Sequence, residues 1–215
     1  DGDLFRGLRD TGAKPNPHWA CYHTDMHDLT TETGTVGVVG CAVGAPFAVL
    51  VAEQLFASGC QLLVSVTSAG QIAPVATPPY CVLIDRALRD EGTSHHYLPP
   101  SRYTRISEKA MDVARRALAD RPDVLIGGTW TTDAPFRETE AALAAAGIEG
   151  LLAVEMEAAA LHALAQASGH PIICLAHVTN QMARVENDFE KGDSNGNAAI
   201  IGLATRIARA WGNRP

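Results

Sequence analysis

Short apolar runs, each followed by a stretch with helical spacing, recur along this chain, and that alternation constrains its fold more than any other feature. Residues 36–39, 62–66, 80–84, 124–127, 151–154 and 172–178 are runs rich in Val, Ile and Leu. They show no polar alternation, so they read as strands buried on both faces. Helices are expected at 47–58, with Pro46 in the first turn and Gly59 as the stop, and from Ser107 as N-cap to about 119. Further helices are expected at 137–146, after Glu157 up to Gly169, and at 198–211, where Ile200, Leu203, Ile207 and Trp211 share one face. The expected fold is α/β: a single domain with a mixed, mostly parallel central sheet flanked by helices. The chain of 215 residues, 47% apolar, suffices for one such core. Residues 1–18 end in Lys14-Pro15-Asn16-Pro17, which cannot continue a helix, and are expected to be irregular. Residues 86–103 are polar and read as a long functional loop.

Charge excludes some partners. Seventeen basic and twenty-four acidic side chains give a net charge of -7, without any lysine or arginine run to neutralise the phosphates of a polymer. Nucleic acid is therefore not expected as a partner. Charged residues make up 19% of the chain, below the ~25% of ordinary soluble domains, which fits a surface partly covered by an oligomer contact. The most apolar stretch, 37–52, is broken by three glycines and Pro46 and falls short of the ~20 residues a bilayer requires. Five cysteines without a C-x-x-C pair read as reduced core residues of a cytoplasmic protein. The first residue is Asp1, no basic-then-apolar leader follows it, and the start is expected to be incomplete.

In parallel α/β sheets, ligands gather beyond the carboxyl ends of the strands, where this chain concentrates its polar residues. Gly40-x-x-x-Gly44, between a strand and a helix, reads either as backbone N–H groups open to an anion or as a tight turn that lets the helix pack closely. Thr67, Ser68 and Gly70 would extend the same cradle as a hydroxyl-rich turn. Glu155 and Glu157 interrupt apolar sequence, where an unpaired carboxylate is costly. They either complement a helix dipole or, at one of the two positions, face the pocket beside Met156, suited to gripping a sugar diol. His95 and His96 lack metal-ligand spacing, so substrate contact or loop packing is expected of them and no metal site is. No nucleophile elbow is present, so covalent catalysis is not indicated.

Taken in order and spacing, these segments resemble the nucleoside phosphorylase family, which includes purine nucleoside phosphorylases, uridine phosphorylases and methylthioadenosine/adenosylhomocysteine nucleosidases. The most specific match is Val154-Glu-Met-Glu157-Ala-Ala-Ala-Leu161, followed by a strand ending in His177-Val-Thr-Asn180. Gly40-Cys-Ala-Val-Gly44-Ala-Pro46, Ser65-Val-Thr-Ser-Ala-Gly70, Arg89-Asp-Glu-Gly-Thr-Ser-His-His-Tyr97 and Thr131-Thr-Asp-Ala-Pro-Phe-Arg-Glu138 support it, so that residues 19–211 are covered.

The resemblance implies cleavage of an N-glycosidic bond through an oxocarbenium-like transition state, with phosphate or water attacking C1′. It places Met156 and Glu157 on the ribose, Glu157 through the 2′- and 3′-hydroxyls, and Phe136 near the base. It puts Thr67 and Ser68 near the nucleophile and Asn180 at the leaving base. Glu155, Gly44, Gly70, His95, His96 and Arg137 complete the candidate substrate-binding set. Many purine-acting members carry an aspartate that protonates N7 where this chain has Asn180. An asparagine hydrogen-bonds N7 and a 6-oxo group but delivers no proton, which favours 6-oxopurines.

The chain departs from phosphorolytic members at Ser65, where they usually have an arginine, and residues 1–18 offer no clear equivalent of their N-terminal strand and second arginine. Arg86, Arg89, Arg102, Arg137 or a neighbouring subunit would have to supply the charge. The expected activity is phosphorolysis to a free base and a sugar 1-phosphate, as in purine salvage, with phosphate as co-substrate and no cofactor. Hydrolysis by water and non-catalytic nucleoside binding are the alternatives. A cytoplasmic homo-oligomer, a dimer or a trimer of dimers, is expected.

Overall fold

A computed structural model describes residues 5, 7, 12–31, 34–182 and 197–213. The described residues form two sheets. The smaller is antiparallel, with order β1 (Lys14–Pro15), β2 (Met26–Thr31), β3 (Gly34–Val39). Thus the segment expected to be irregular contributes a short strand. β2 has no equivalent in the apolar-run reading, because its sequence, MHDLTT, is two-thirds polar.

The larger sheet contains β4 (Leu63–Gln71), β5 (Tyr80–Asp90), β6 (Tyr103–Arg105), β7 (Val124–Thr132), β8 (Leu151–Glu155) and β9 (Ile172–Asn180). Their order is β6-β5-β7-β8-β4-β9, and β9 pairs again with β5. The sheet is mixed as expected, but the expectation that it is mostly parallel is corrected here. β4/β9, β5/β7 and β7/β8 are parallel, β4/β8, β5/β9 and β5/β6 are antiparallel, and the extra β5/β9 pairing closes the sheet like a barrel. Register shifts between Ala69 and Gly70, Ile84 and Arg86, and Gly128 and Thr129 accompany this closure. Each such bulge bends its strand and sharpens the twist, which a closed sheet requires.

The helices are α1 (Ala45–Ala57), α2 (Glu108–Ala117), α3 (Glu140–Ile148), α4 (Ala158–Ser168) and α5 (Asn197–Gly212). Alternate residues of the strands feed different cores. Val82 and Ile84 of β5, with Cys174, Ala176 and Val178 of β9, pack under α1 and α4. Cys81 and Leu83, with Ile173 and Leu175, pack under α2 and α5. Burial on both faces is why these strands read as unbroken apolar runs. Alanines 158–160 of α4 and Ala45, Ala48 and Ala52 of α1 belong to the first core, where small side chains let the two helix starts approach β4.

Several boundaries move. Residues 67–70 lie inside β4 and not in a turn, and 86–90 continue β5, so the expected long loop shrinks to 91–102 with a 3-10 turn at Thr93–His96. The helix expected from 137 starts at Glu140, because Pro135–Arg137 form a 3-10 turn and the Thr139 hydroxyl accepts from the Ala142 amide. Ser107 caps α2 as expected, accepting from Ala110. Cys41 is exposed and Cys60 half-buried, so only Cys21, Cys81 and Cys174 fit the core reading. Burial pushes the Cys81 thiol up to about 12. Among the described residues, no helix is long and apolar enough to cross a membrane.

Candidate active site

Parallel pairing of β4 with β9 sets Ser68 opposite His177 and Gly70 opposite Asn180, so the carboxyl ends of both strands finish together. The β8-to-α4 turn, carrying Glu155, Met156 and Glu157, enters beside them, as does the start of α1 at Gly44.

Glu155 is 3% exposed and lies beneath this junction. Its Oε2 accepts the amides of Glu157 and Ala158, each at 2.7 Å, and so caps the first turn of α4. Oε1 takes the hydroxyls of Thr129 (3.0 Å) and Thr131 (2.5 Å), and the Thr131 oxygen in turn accepts from the Ala159 amide. Burial, and then the neighbouring Glu157 carboxylate, push the Glu155 carboxyl up; the Thr131 hydroxyl and the two amides pull the other way and are outweighed. Glu155 thus reaches no substrate space. It locks the turn that carries its neighbours.

Glu157 points to the opposite side. Its Oε1 accepts the Gly44 amide at 2.7 Å, and its Oε2 accepts the Thr67 hydroxyl at 2.6 Å and the Met156 amide at 3.3 Å. The carboxylate therefore sits where two helices, α1 and α4, begin, and both dipoles favour its charge. Gly44 has φ +88, a conformation open to glycine, and Pro46 fixes the first turn after it. The amide that the sequence offered to an external anion is turned onto the protein's own Glu157. Gly44 is therefore a support for that carboxylate and not a free anion donor.

Asn180 ends β9 with its Oδ1 accepting the Met182 amide at 3.1 Å. Since that amide can only donate, the side-chain orientation is fixed, and Nδ2 is the group left to donate outward. Gly70 makes this possible: a Cβ there would overlap the Met182 sulfur and come within 3.1 Å of Asn180 Oδ1.

Other candidates lie further out. His95 and His96 are exposed on the 3-10 turn, and His95 Nδ1 lies 3.2 Å from an Arg89 nitrogen. His96 and Tyr97 line a cleft of about 520 Å³ with Pro46, Val49 and Asp133. Phe136 is 99% exposed, so within one chain it stacks on nothing, and Arg137 beside it is exposed as well. Of the arginines considered for phosphate, Arg89 is buried and ties the 91–102 loop together through Ser94, Leu98, Pro99 and Ser101. Arg86 bonds the Glu149 carbonyl and lies over the Tyr103 ring, and Arg102 pairs with the Glu149 carboxylate.

A family model described as the phosphorylase superfamily matches residues 10–209. The chain belongs to the phosphorylase superfamily. Among solved structures, a uridine phosphorylase from Vibrio fischeri ES114, complexed with 6-hydroxy-1-naphthoic acid, matches with a TM-score of 0.77 at 17% identity, over 98% of this chain and 87% of that one. No curated protein sequence matches. In this superfamily member, sequence reasoning missed the buried role of Glu155 and the anchoring of Asn180 by the Met182 amide. A signal for the first existed in Thr129 and Thr131, whose i, i+2 spacing puts both hydroxyls on one face of β7. No local signal marks the second.

Proposed function

We propose that this chain cleaves the N-glycosidic bond of a nucleoside, with phosphate as the attacking group, releasing a free base and a sugar 1-phosphate. The observation that carries the reading is the Glu157 carboxylate, fixed between two helix starts next to Thr67 and Ser68 on β4, with Asn180 at the end of the paired strand. Glu157 holds the sugar at its hydroxyl-bearing edge, with Met156 beside it. As the C1′–N bond lengthens, positive charge grows on the sugar ring and negative charge on the base. A fixed carboxylate favours the first, and the Asn180 Nδ2–H donor stabilises the second. A donor at that place suits a base presenting acceptors, so 6-oxopurine nucleosides are preferred to adenosine. Of the four arginines considered for phosphate, Arg137 is exposed and outside the ion pairs found among the described residues, and Thr67 and Ser68 lie on the nucleophile's side. Membership of the phosphorylase superfamily supports an enzyme of this class.

Hydrolysis is the second reading, and one observation favours it: Arg86, Arg89, Arg102 and the Gly44 amide are all engaged by protein groups. An assembled oligomer belongs to the proposal, because Phe136 is 99% and Ile148 89% exposed, large apolar side chains that an interface would cover.

The test incubates inosine, guanosine, adenosine, uridine and methylthioadenosine with and without phosphate and separates bases from sugars by chromatography. Base release that requires phosphate supports phosphorolysis, and release without it supports hydrolysis. No release in either buffer defeats the enzyme reading for this panel. Asn180→Asp is expected to shift preference from inosine towards adenosine; an unchanged ratio of kcat/KM would refute the base assignment.

A further inference from the structure

We propose that Thr67 is the residue that determines how the sugar is gripped: it occupies Glu157 so that the carboxylate takes one sugar hydroxyl and not a diol. The inference rests on the reading of Glu157 as the sugar-holding group. An ionised carboxylate offers roughly four acceptor directions, two on each oxygen. On Oε2 both are taken, by the Thr67 hydroxyl at 2.6 Å and the Met156 amide at 3.3 Å. On Oε1 one is taken by the Gly44 amide at 2.7 Å. Among the described residues, a single strong acceptor direction remains, on Oε1.

These partners are not easily displaced. The Gly44 and Met156 amides are fixed by the starts of α1 and α4. Thr67 is held in β4 opposite Ala176 of β9, and its branched side chain is stiff at χ1. Its alternative acceptor is the Ser68 carbonyl at 3.2 Å, a longer bond to an uncharged group, so the hydroxyl keeps its proton directed at the carboxylate. A substrate diol would have to break the Thr67 bond to place its second hydroxyl on Oε2. Removal of the Thr67 hydroxyl opens that direction without touching Glu157.

The experiment measures kcat/KM in phosphate buffer for inosine, 2′-deoxyinosine and 3′-deoxyinosine, and for the corresponding uridine set. For the wild-type protein, one deoxy analogue of the better-used base stays within about threefold of the parent, and the other falls about tenfold or more, the scale of one hydrogen bond to a charged group. In Thr67→Val, with Thr67→Ala as a second variant should the first not fold, the tolerated analogue drops behind its parent by about tenfold more than in wild type. Thr67→Ser, which keeps the hydroxyl, restores the wild-type pattern. Intrinsic differences in sugar reactivity cancel in this ratio of ratios.

A tenfold loss for both analogues in wild type, or a pattern in both Thr67→Val and Thr67→Ala within twofold of wild type, overturns the proposal while leaving the enzyme reading intact. If neither analogue loses, Glu157 does not hold the sugar, and the reading beneath the proposal fails. If none of the six is cleaved, the same six are titrated by calorimetry and the same pattern is required of their dissociation constants. No binding defeats the nucleoside reading and this proposal together.

Discussion

Glu155 and Glu157 stand two residues apart and are 3% and 6% exposed, yet they have opposite roles because of what surrounds them. Around Glu155 every direction ends in protein: two β7 hydroxyls and two α4 amides. Around Glu157 the partners come from α1, β4 and the turn itself, and one acceptor direction stays open. Sequence spacing alone makes the two look like a pair of equivalent carboxylates. A strand residue and the helix N-cap two positions later point to different sides, and that difference separates a carboxylate spent on structure from the one proposed to hold the sugar.

The largest expected effect tests the functional side. Glu157→Gln should lower kcat/KM by about 10²–10³-fold in steady-state assays, the scale for loss of a charged stabiliser, with a smaller loss of stability than that of Glu155→Ala. A variant that turns over at the wild-type rate would break the comparison. Glu155→Ala should act on stability, leaving two hydroxyls and two amides without their acceptor and costing about 3–5 kcal/mol in denaturant unfolding. A loss below about 1 kcal/mol would mean that the turn is held by other contacts.

Two smaller effects are read from pH. α4 also buries His162, whose pKa burial lowers to about 4. The fold holds it neutral and the unfolded chain protonates it near 6.5, so stability should fall as pH drops from about 6.5 towards 4, by on the order of 3 kcal/mol. His162→Leu should flatten that acid limb in urea titrations at fixed pH; an unchanged limb would assign the acid sensitivity elsewhere. Glu155 acts in the other direction. Its folded pKa is raised, so its contribution is complete below about 4.3 and is lost as pH rises through the folded value. Glu155→Gln should remove a decline of roughly 1–3 kcal/mol between pH 5 and 8, and a decline that persists would show that Glu155 stays charged throughout.

Much of the scaffold was legible because local chemistry and global packing agree. Pro46 and Gly59 bracket α1, Ser107 starts α2, and strands buried on both faces announce themselves as apolar runs. β2 was missed because its polar residues break such a run, and Thr67–Gly70 read as a turn because hydroxyl residues favour turns until a ladder with β9 overrides them. In the site, Glu155 and Glu157 were conspicuous as charges in apolar sequence. What fills the Gly44 cradle was not legible, since its partner lies 113 residues away and only the closed sheet brings the two together.

That closure also orders events during synthesis. β5 and β4 are made early and find β6, β7 and β8 before the last strand, but each keeps one edge unpaired until β9 arrives: Tyr80 pairs with Val178, and Leu63 with Ile172. A nascent chain shorter than this therefore carries two open strand edges, the state most prone to pairing with another molecule. The strand that seals them ends in Asn180. Completion of the barrel and arrival of the residue proposed to meet the leaving base are thus one step, so a chain truncated before β9 would lose the closed sheet and the candidate site together.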